Sequence, residues 1–237
     1  MSSSVQGFSI YDLLTRVAPG TILVIPIGLI IIPVSSVETV PSSGYLIAIA
    51  LILSFISGEY LNLVREALMP VPTSFRRVLY TETDEKDYLT LSDRLIMGLE
   101  RIPGVPEYNP EQYSIYVNSE QTFWQSLKKE LDISDGQNAR DVYAIFSMYM
   151  ETRMGRVTRR KLTLYQFHQN MIWSTGASIL ILLSGFVIPD PANPNLSLLA
   201  LFLYLISLVI LVQPIFRVVD QEFVDTLITQ FYTVKEK

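Results

Sequence analysis

Four long stretches of this chain contain no Asp, Glu, Lys or Arg, and no other feature of the sequence restricts the possible folds as strongly. They cover residues 17–37, 39–58, 162–189 and 191–216. An α-helix needs about 20 apolar residues to cross a hydrocarbon core of about 30 Å, and each stretch is long enough. The pattern therefore predicts four transmembrane helices, at about 18–36, 44–64, 170–188 and 196–215.

The alternative, that these stretches are buried helices of a soluble protein, conflicts with their composition. Residues 46–57 (LIAIALILSFIS) and 196–212 (LSLLALFLYLISLVILV) have no polar face. A helix that is apolar all round belongs in lipid or in a very large core, which a chain of 237 residues cannot build four times. The charged fraction of the whole chain, 17%, is also lower than the roughly 25% of soluble domains.

The basic residues predict the orientation of these helices. Arg16 precedes the first predicted span, 14 of the 18 Lys and Arg residues lie from Arg65 to Lys161, and the rest follow the fourth span. The connections 37–43 and 189–195 contain none. Because cationic loops stay on the cytoplasmic side, we expect a multi-pass cell-membrane protein with both termini in the cytoplasm.

The predicted fold class is all-α, with four transmembrane helices as two hairpins around an inserted cytoplasmic helical domain. The predicted parts are an N-terminal interfacial helix (1–17), hairpin 1 (18–64), the cytoplasmic domain (65–169), hairpin 2 (170–216) and a C-terminal amphipathic helix (217–237). The last helix repeats Val219, Phe223, Leu227 and Phe231 at four-residue steps, which favours packing on the cytoplasmic domain.

Within the cytoplasmic domain the sequence predicts a helix at about 86–102 and a loop at 103–110. From about Asn138 the sequence has no proline before Pro189, so we expect one long helix, or two nearly coaxial ones, with Gly155 as the weak point. An apolar stripe extending to Val157 would line it. Such a rod would couple the cytoplasmic domain to the membrane part.

Glu59 is the one acidic residue near the interior of a predicted span, and Asn62 shares its helix face. Ionisable groups inside membranes are costly and often functional. Two interpretations remain open. Glu59 and Asn62 form a polar site lining a pore or proton path, or Glu59 has a structural role at the interface, where Arg16 or Arg65 would pair with it.

A second candidate site is a cluster of five cations within nine residues, consisting of Arg153, Arg156, Arg159, Arg160 and Lys161. One interpretation is that these cations keep the loop on the cytoplasmic side and pair with the acidic run 82–87. The other is a site for phosphate groups, either of lipid headgroups or of a nucleotide-like ligand. No glycine-rich loop accompanies the cluster, which weakens the nucleotide interpretation.

Metal and cofactor chemistry has little support in the sequence. The chain has no Cys and one His, His168, so neither a thiolate nor a multi-histidine site is available, and we expect no metal and no cofactor. Ser54 with Gly58, and Ser174 with Ser178, are small residues four apart that allow helices to approach closely, within one chain or between chains.

These features favour a non-enzymatic membrane anchor or scaffold whose cytoplasmic helical domain binds a protein partner. The alternative is an oligomeric pore or membrane-perturbing effector, gated by a cytoplasmic partner or an anionic, nucleotide-like ligand. The expected partners are the lipid bilayer, further copies of the chain, and a cytoplasmic protein or anionic ligand, but no nucleic acid polymer. No motif predicts a catalytic residue, and a membrane enzyme using carboxylates is a weaker third hypothesis.

Overall fold

The computed structural model of the chain is all-helical over the residues that it describes. Those residues are 13–32, 43–68, 71–72, 74–76, 78–79, 123–134, 137–187, 192–212 and 217–235. The predictions for 1–12, for the helix at 86–102 and for the loop at 103–110 lie outside them, as do Pro33 and the acidic run 82–87. No strand occurs in the described part of the chain, which confirms the all-α fold class.

The elements begin with a π-helical turn, Leu13–Val17, followed without a break by α1. The helices are α1 (Ala18–Ile31), α2 (Ser43–Leu68), α3 (Phe123–Leu131), α4 (Ala139–Glu151), α5 (Arg156–Gly185), α6 (Pro194–Ile210) and α7 (Arg217–Lys235). Residues 74–76 and 78–79 are also helical. The chain divides into two compact units, the first formed by 1–68 and 163–216 and the second by 69–162 and 217–237.

Among the described residues, one helix is long and apolar enough to cross a membrane. It is the stretch Ile47–Ala67 of α2, with 21 residues. Two shorter apolar helices, Thr15–Ile31 and Pro194–Ile210, have 17 residues each and cover about 26 Å. Helix α5 is long, but Gln166, His168, Gln169 and Asn170 reduce its apolar character.

Of the two arrangements predicted from Asn138, one long helix or two, the structure has two helices. Helix α4 ends at Glu151 and α5 begins at Arg156, so residues 152–155, which include Gly155, interrupt the helix. The Gln230 side chain occupies the break, where its amide donates to the carbonyl of Arg153. Because the break resets the helical phase, Val157 is exposed instead of extending the apolar stripe.

The second unit is built around an aromatic core. The rings of Phe75, Phe123, Phe146 and Phe231 lie with neighbouring centroids 5.4–6.0 Å apart, and all four side chains are buried. They come from residues 74–76, α3, α4 and α7. The C-terminal helix therefore packs its Phe223–Leu227–Phe231 face into this unit.

Candidate functional site

The first unit contains a row of buried polar side chains on one face of α5. Asn170, Ser174 and Ser178 are four residues apart and have no exposed surface. They donate to backbone carbonyls of the π-helical turn and α1: the Asn170 amide to Thr15 O at 2.9 Å, the Ser174 hydroxyl to Pro19 O, and the Ser178 hydroxyl to Ile22 O at 3.0 Å. The polar side of α5 is thus directed at the backbone of the neighbouring segment.

The prolines explain why two of these carbonyls need a donor from elsewhere. A proline has no N–H, so it cannot donate to the carbonyl four residues before it. Pro19 leaves Thr15 O without this donor, and Pro26, which stays inside α1, leaves Ile22 O. Ile22 O accepts a second bond, at 2.8 Å, from the hydroxyl of Tyr204 in α6.

The carbonyls at the end of α1 also accept bonds from outside the helix. Because α1 ends at Ile31, Leu29 O has no donor within the helix, and it accepts from the Asn193 amide at 2.9 Å. The same amide also bonds Ile32 O at 2.7 Å, and the Ala192 N–H bonds Ile30 O at 3.2 Å. Groups outside α1 therefore satisfy the carbonyl that Pro26 frees and carbonyls at the helix end.

Glycines hold α2 very close to the π-helical turn and α1. A Cβ placed on Gly20 would overlap the Ser54 carbonyl and stand 2.8 Å from Gly58 N. A Cβ placed on Gly58 would overlap the Arg16 carbonyl. The small residues Ser54 and Gly58 thus serve a contact within the chain, and Ser174 and Ser178 do the same through their hydroxyls.

The structure does not bring Glu59 and Asn62 into one hydrogen bond. The Glu59 carboxylate lies 2.8 Å from Arg16 Nε, and both side chains are partly exposed. The Asn62 amide donates instead to Glu66 Oε1 at 3.2 Å, a carboxylate that Arg65 also contacts at 3.1 Å. Of the two cations considered from the sequence, Arg16 is the one beside Glu59.

The five cations of the second candidate site differ in their surroundings. Arg153 donates to Tyr149 O at 2.7 Å and lies over the Tyr149 ring at 3.9 Å. Lys161 forms an ion pair with Glu222 of α7 at 3.2 Å. The side chains of Arg156, Arg159 and Arg160 are exposed at the start of α5.

Asp225 of α7 has a raised pKa. Partial burial raises its pKa from 3.8 to about 6. Lys161 lowers the pKa in part and Glu222 raises it further. The carboxyl group is therefore protonated in the folded protein at pH values at which an unfolded chain has already lost the proton.

We expect Asp225→Asn to raise stability at pH 7 by about 1 kcal/mol, allowing for solvent screening. In the native chain the folded state holds the extra proton between pH 4 and 6, so stability falls as pH rises through this window and levels off above it. Thermal unfolding in detergent from pH 4 to 8 measures this. The variant should lose the slope, whereas Glu151→Gln, at an exposed acid of α4, should keep it. An unchanged slope in Asp225→Asn would contradict the assignment.

His168 has a local role, because its Nδ1 lies 2.7 Å from Leu164 O of the same helix. Within the described ranges no group of three or more His, Asp or Glu side chains is placed to hold a metal ion.

A cavity of about 510 Å³ lies among α1, α5 and α6 in the first unit. Its wall is largely apolar, with Ile22, Met171 and Leu203 among the lining residues, and the hydroxyl-bearing Thr175 and Ser207 also border it. The volume is within the range of small-molecule sites. No charged side chain lines it, so it suits a hydrocarbon occupant better than a polar one.

Sequence reasoning overlooked Asn170, Tyr204 and Asn193 as structural polar groups. One signal was available for two of the acceptors, since the prolines at 19 and 26 each free the carbonyl four residues earlier. The spacing of Asn170 from Ser174 and Ser178 was a second signal. Neither identifies which donor reaches which carbonyl.

Comparisons with protein-family models, with curated proteins and with solved structures gave no match.

Proposed function

We propose that the chain is an integral membrane protein that crosses the bilayer four times and has no catalytic role. Its termini and residues 65–169 lie in the cytoplasm, and the first unit anchors a helical domain that binds a cytoplasmic protein partner. The observation that carries this proposal is the division of polar and apolar groups in the first unit. Polar side chains turn inward to backbone carbonyls, and large apolar side chains form the exposed surface.

The exposed apolar residues support the membrane placement. They include Ile49, Ile52, Ile56 and Leu63 of α2, and Leu199, Phe202, Ile206 and Val209 of α6. In the candidate span of α2, only 17% of the most apolar stretch is buried within the chain. A soluble core helix would be mostly buried, so this surface suits contact with hydrocarbon.

The satisfied carbonyls of α1 support the same conclusion. In a bilayer a backbone group without a partner is costly, and a proline in a spanning helix is tolerated where neighbouring side chains bond the freed group. Ser178 and Tyr204 meet this requirement at Ile22 O, and Asn193 bonds the carbonyls of Leu29 and Ile32 at the helix end. The polar residues of α5 lower its mean hydropathy, but several of them bond backbone carbonyls of the neighbouring segment. They are therefore compatible with a helix that spans the bilayer. The two 17-residue helices would span with slight thinning of the bilayer.

The topology can be tested with single cysteines, since the chain has none of its own. We expect a membrane-impermeant maleimide to label Gly44→Cys and Asn195→Cys in intact cells. Lys129→Cys and Arg140→Cys should react only after lysis. A Cβ at Gly44 meets no atom within 4 Å, so that change should not disturb folding. Labelling of the first two sites from opposite sides would refute the four-span arrangement.

A liposome assay distinguishes the anchor from the pore. We expect no dye leakage above that of empty liposomes, because Asn170, Ser174 and Ser178 of α5 already bond the backbone of the neighbouring segment. Leakage that Glu59→Gln abolishes in folded protein would establish the pore instead. Glu66→Gln, on the same helix, is the matched control and should leave any leakage unchanged.

A further inference from the structure

Three exposed arginines share one face at the start of α5. Arg156, Arg159 and Arg160 are separated by three and four residues, a spacing that places side chains side by side on a helix. Thr158 and Tyr165 are buried, and Lys161 pairs with Glu222. The three arginines therefore form a cationic patch, here called the arginine face.

The arginine face does not serve the stability of its own helix. Cations near a helix N-terminus are disfavoured by the helix dipole, and the first turn of α5 has no acidic residue to offset them. The helix dipole therefore does not account for cations at this face.

The position of the arginine face along α5 indicates another role. The charge-free stretch 162–189 begins directly after Lys161, and α5 continues unbroken to Gly185. At 1.5 Å per residue, Arg156 lies about 9 Å along the helix from residue 162. If this stretch enters the bilayer, as in the proposed function on which this inference rests, the arginines lie at the depth of the lipid headgroups.

We propose that the arginine face binds the phosphate groups of anionic lipids in the cytoplasmic leaflet. Guanidinium groups form paired hydrogen bonds with phosphate oxygens, and a negatively charged leaflet attracts basic residues next to a span. Arg156 and Arg160 lie four residues apart on one helix face, so both side chains can contact the same headgroup. Bound phosphates also offset the unfavourable charge at the start of the helix.

The test titrates the purified full chain in detergent with phosphatidylglycerol or phosphatidylcholine of the same acyl chains and counts bound lipids by native mass spectrometry. We expect the native chain to prefer phosphatidylglycerol. Arg156→Gln with Arg160→Gln should weaken this binding about 30-fold. The control pair, Lys129→Gln with Arg140→Gln, removes two exposed cations of α3 and α4 and should change binding less than threefold.

The inference would be overturned if the two lipids bound equally, or if both variant pairs weakened binding equally. It would also be overturned if inorganic phosphate at the lipid concentration displaced phosphatidylglycerol, because the ligand would then be a soluble phosphate compound. Failure of the proposed function looks different, because the chain would then stay soluble without detergent. A chain that requires detergent but shows no lipid preference refutes this inference alone.

Discussion

Gly20→Ala should destabilise the protein by about 3 kcal/mol or more and lower its melting temperature in detergent by about 6–12 °C. In a helix, alanine is normally more stable than glycine by about 1 kcal/mol, so helix propensity alone predicts that this substitution stabilises the protein. The steric term dominates because the added methyl group would overlap the Ser54 carbonyl and approach Gly58 N to 2.8 Å. Both are backbone atoms, so relief requires α1 and α2 to separate.

The matched control is Gly28→Ala in the same helix. A Cβ there meets no atom within 4 Å, so we expect unchanged stability or a gain of up to about 1 kcal/mol. Thermal unfolding of both variants, with size-exclusion profiles to check folding, gives the comparison. Equal melting temperatures for the two variants would show that α1 and α2 do not pack this closely.

The second large effect is expected when Ser178→Ala and Tyr204→Phe are combined. The pair removes both side-chain donors to Ile22 O and changes little volume. A single interhelical hydrogen bond in a bilayer contributes about 0.6 kcal/mol on average, but a buried carbonyl left without a partner costs about 1–3 kcal/mol. We therefore expect a loss of about 2–3 kcal/mol, measured by unfolding in detergent or lipid nanodiscs.

Pro26→Ala tests the stated cause, because alanine restores the N–H that can bond Ile22 O within α1. In that background the double substitution should cost less than about 1 kcal/mol. As a control, Ser184→Ala with Tyr60→Phe removes one hydroxyl bonded to its own helix and one exposed hydroxyl, and should have little effect. A cost independent of Pro26 would mean that the two hydroxyls act through another contact.

The sequence predicted best those features that depend on local composition. The all-α class and the long apolar helix over Ile47–Ala67 follow from charge-free runs, and the buried face of α7 follows from four-residue periodicity. Four spans and their orientation remain predictions. Two helices with a weak point at Gly155 were one of the two predicted arrangements. The side chain that occupies the interruption at 152–155 could not be predicted, because Gln230 is 77 residues from Arg153.

The polar interior of the first unit was harder to predict because its bonds join distant parts of the chain. Ile22 lies 156 residues from Ser178 and 182 residues from Tyr204. Proline positions identify which carbonyls lack a donor, but only the packing decides whether Ser178, Tyr204 or a residue of another copy supplies one. The same limit applied to Glu59, for which two cations were available and the geometry selected Arg16.

The aromatic core of the second unit has a consequence for the rate of folding. Phe75 and Phe231 belong to one cluster, in which each ring contacts Phe146, although most of the second unit's sequence and part of the first lie between them. Bringing such distant segments together costs loop-closure entropy before the aromatic contacts form. We therefore expect the second unit to fold more slowly than a helical bundle whose contacts are all local.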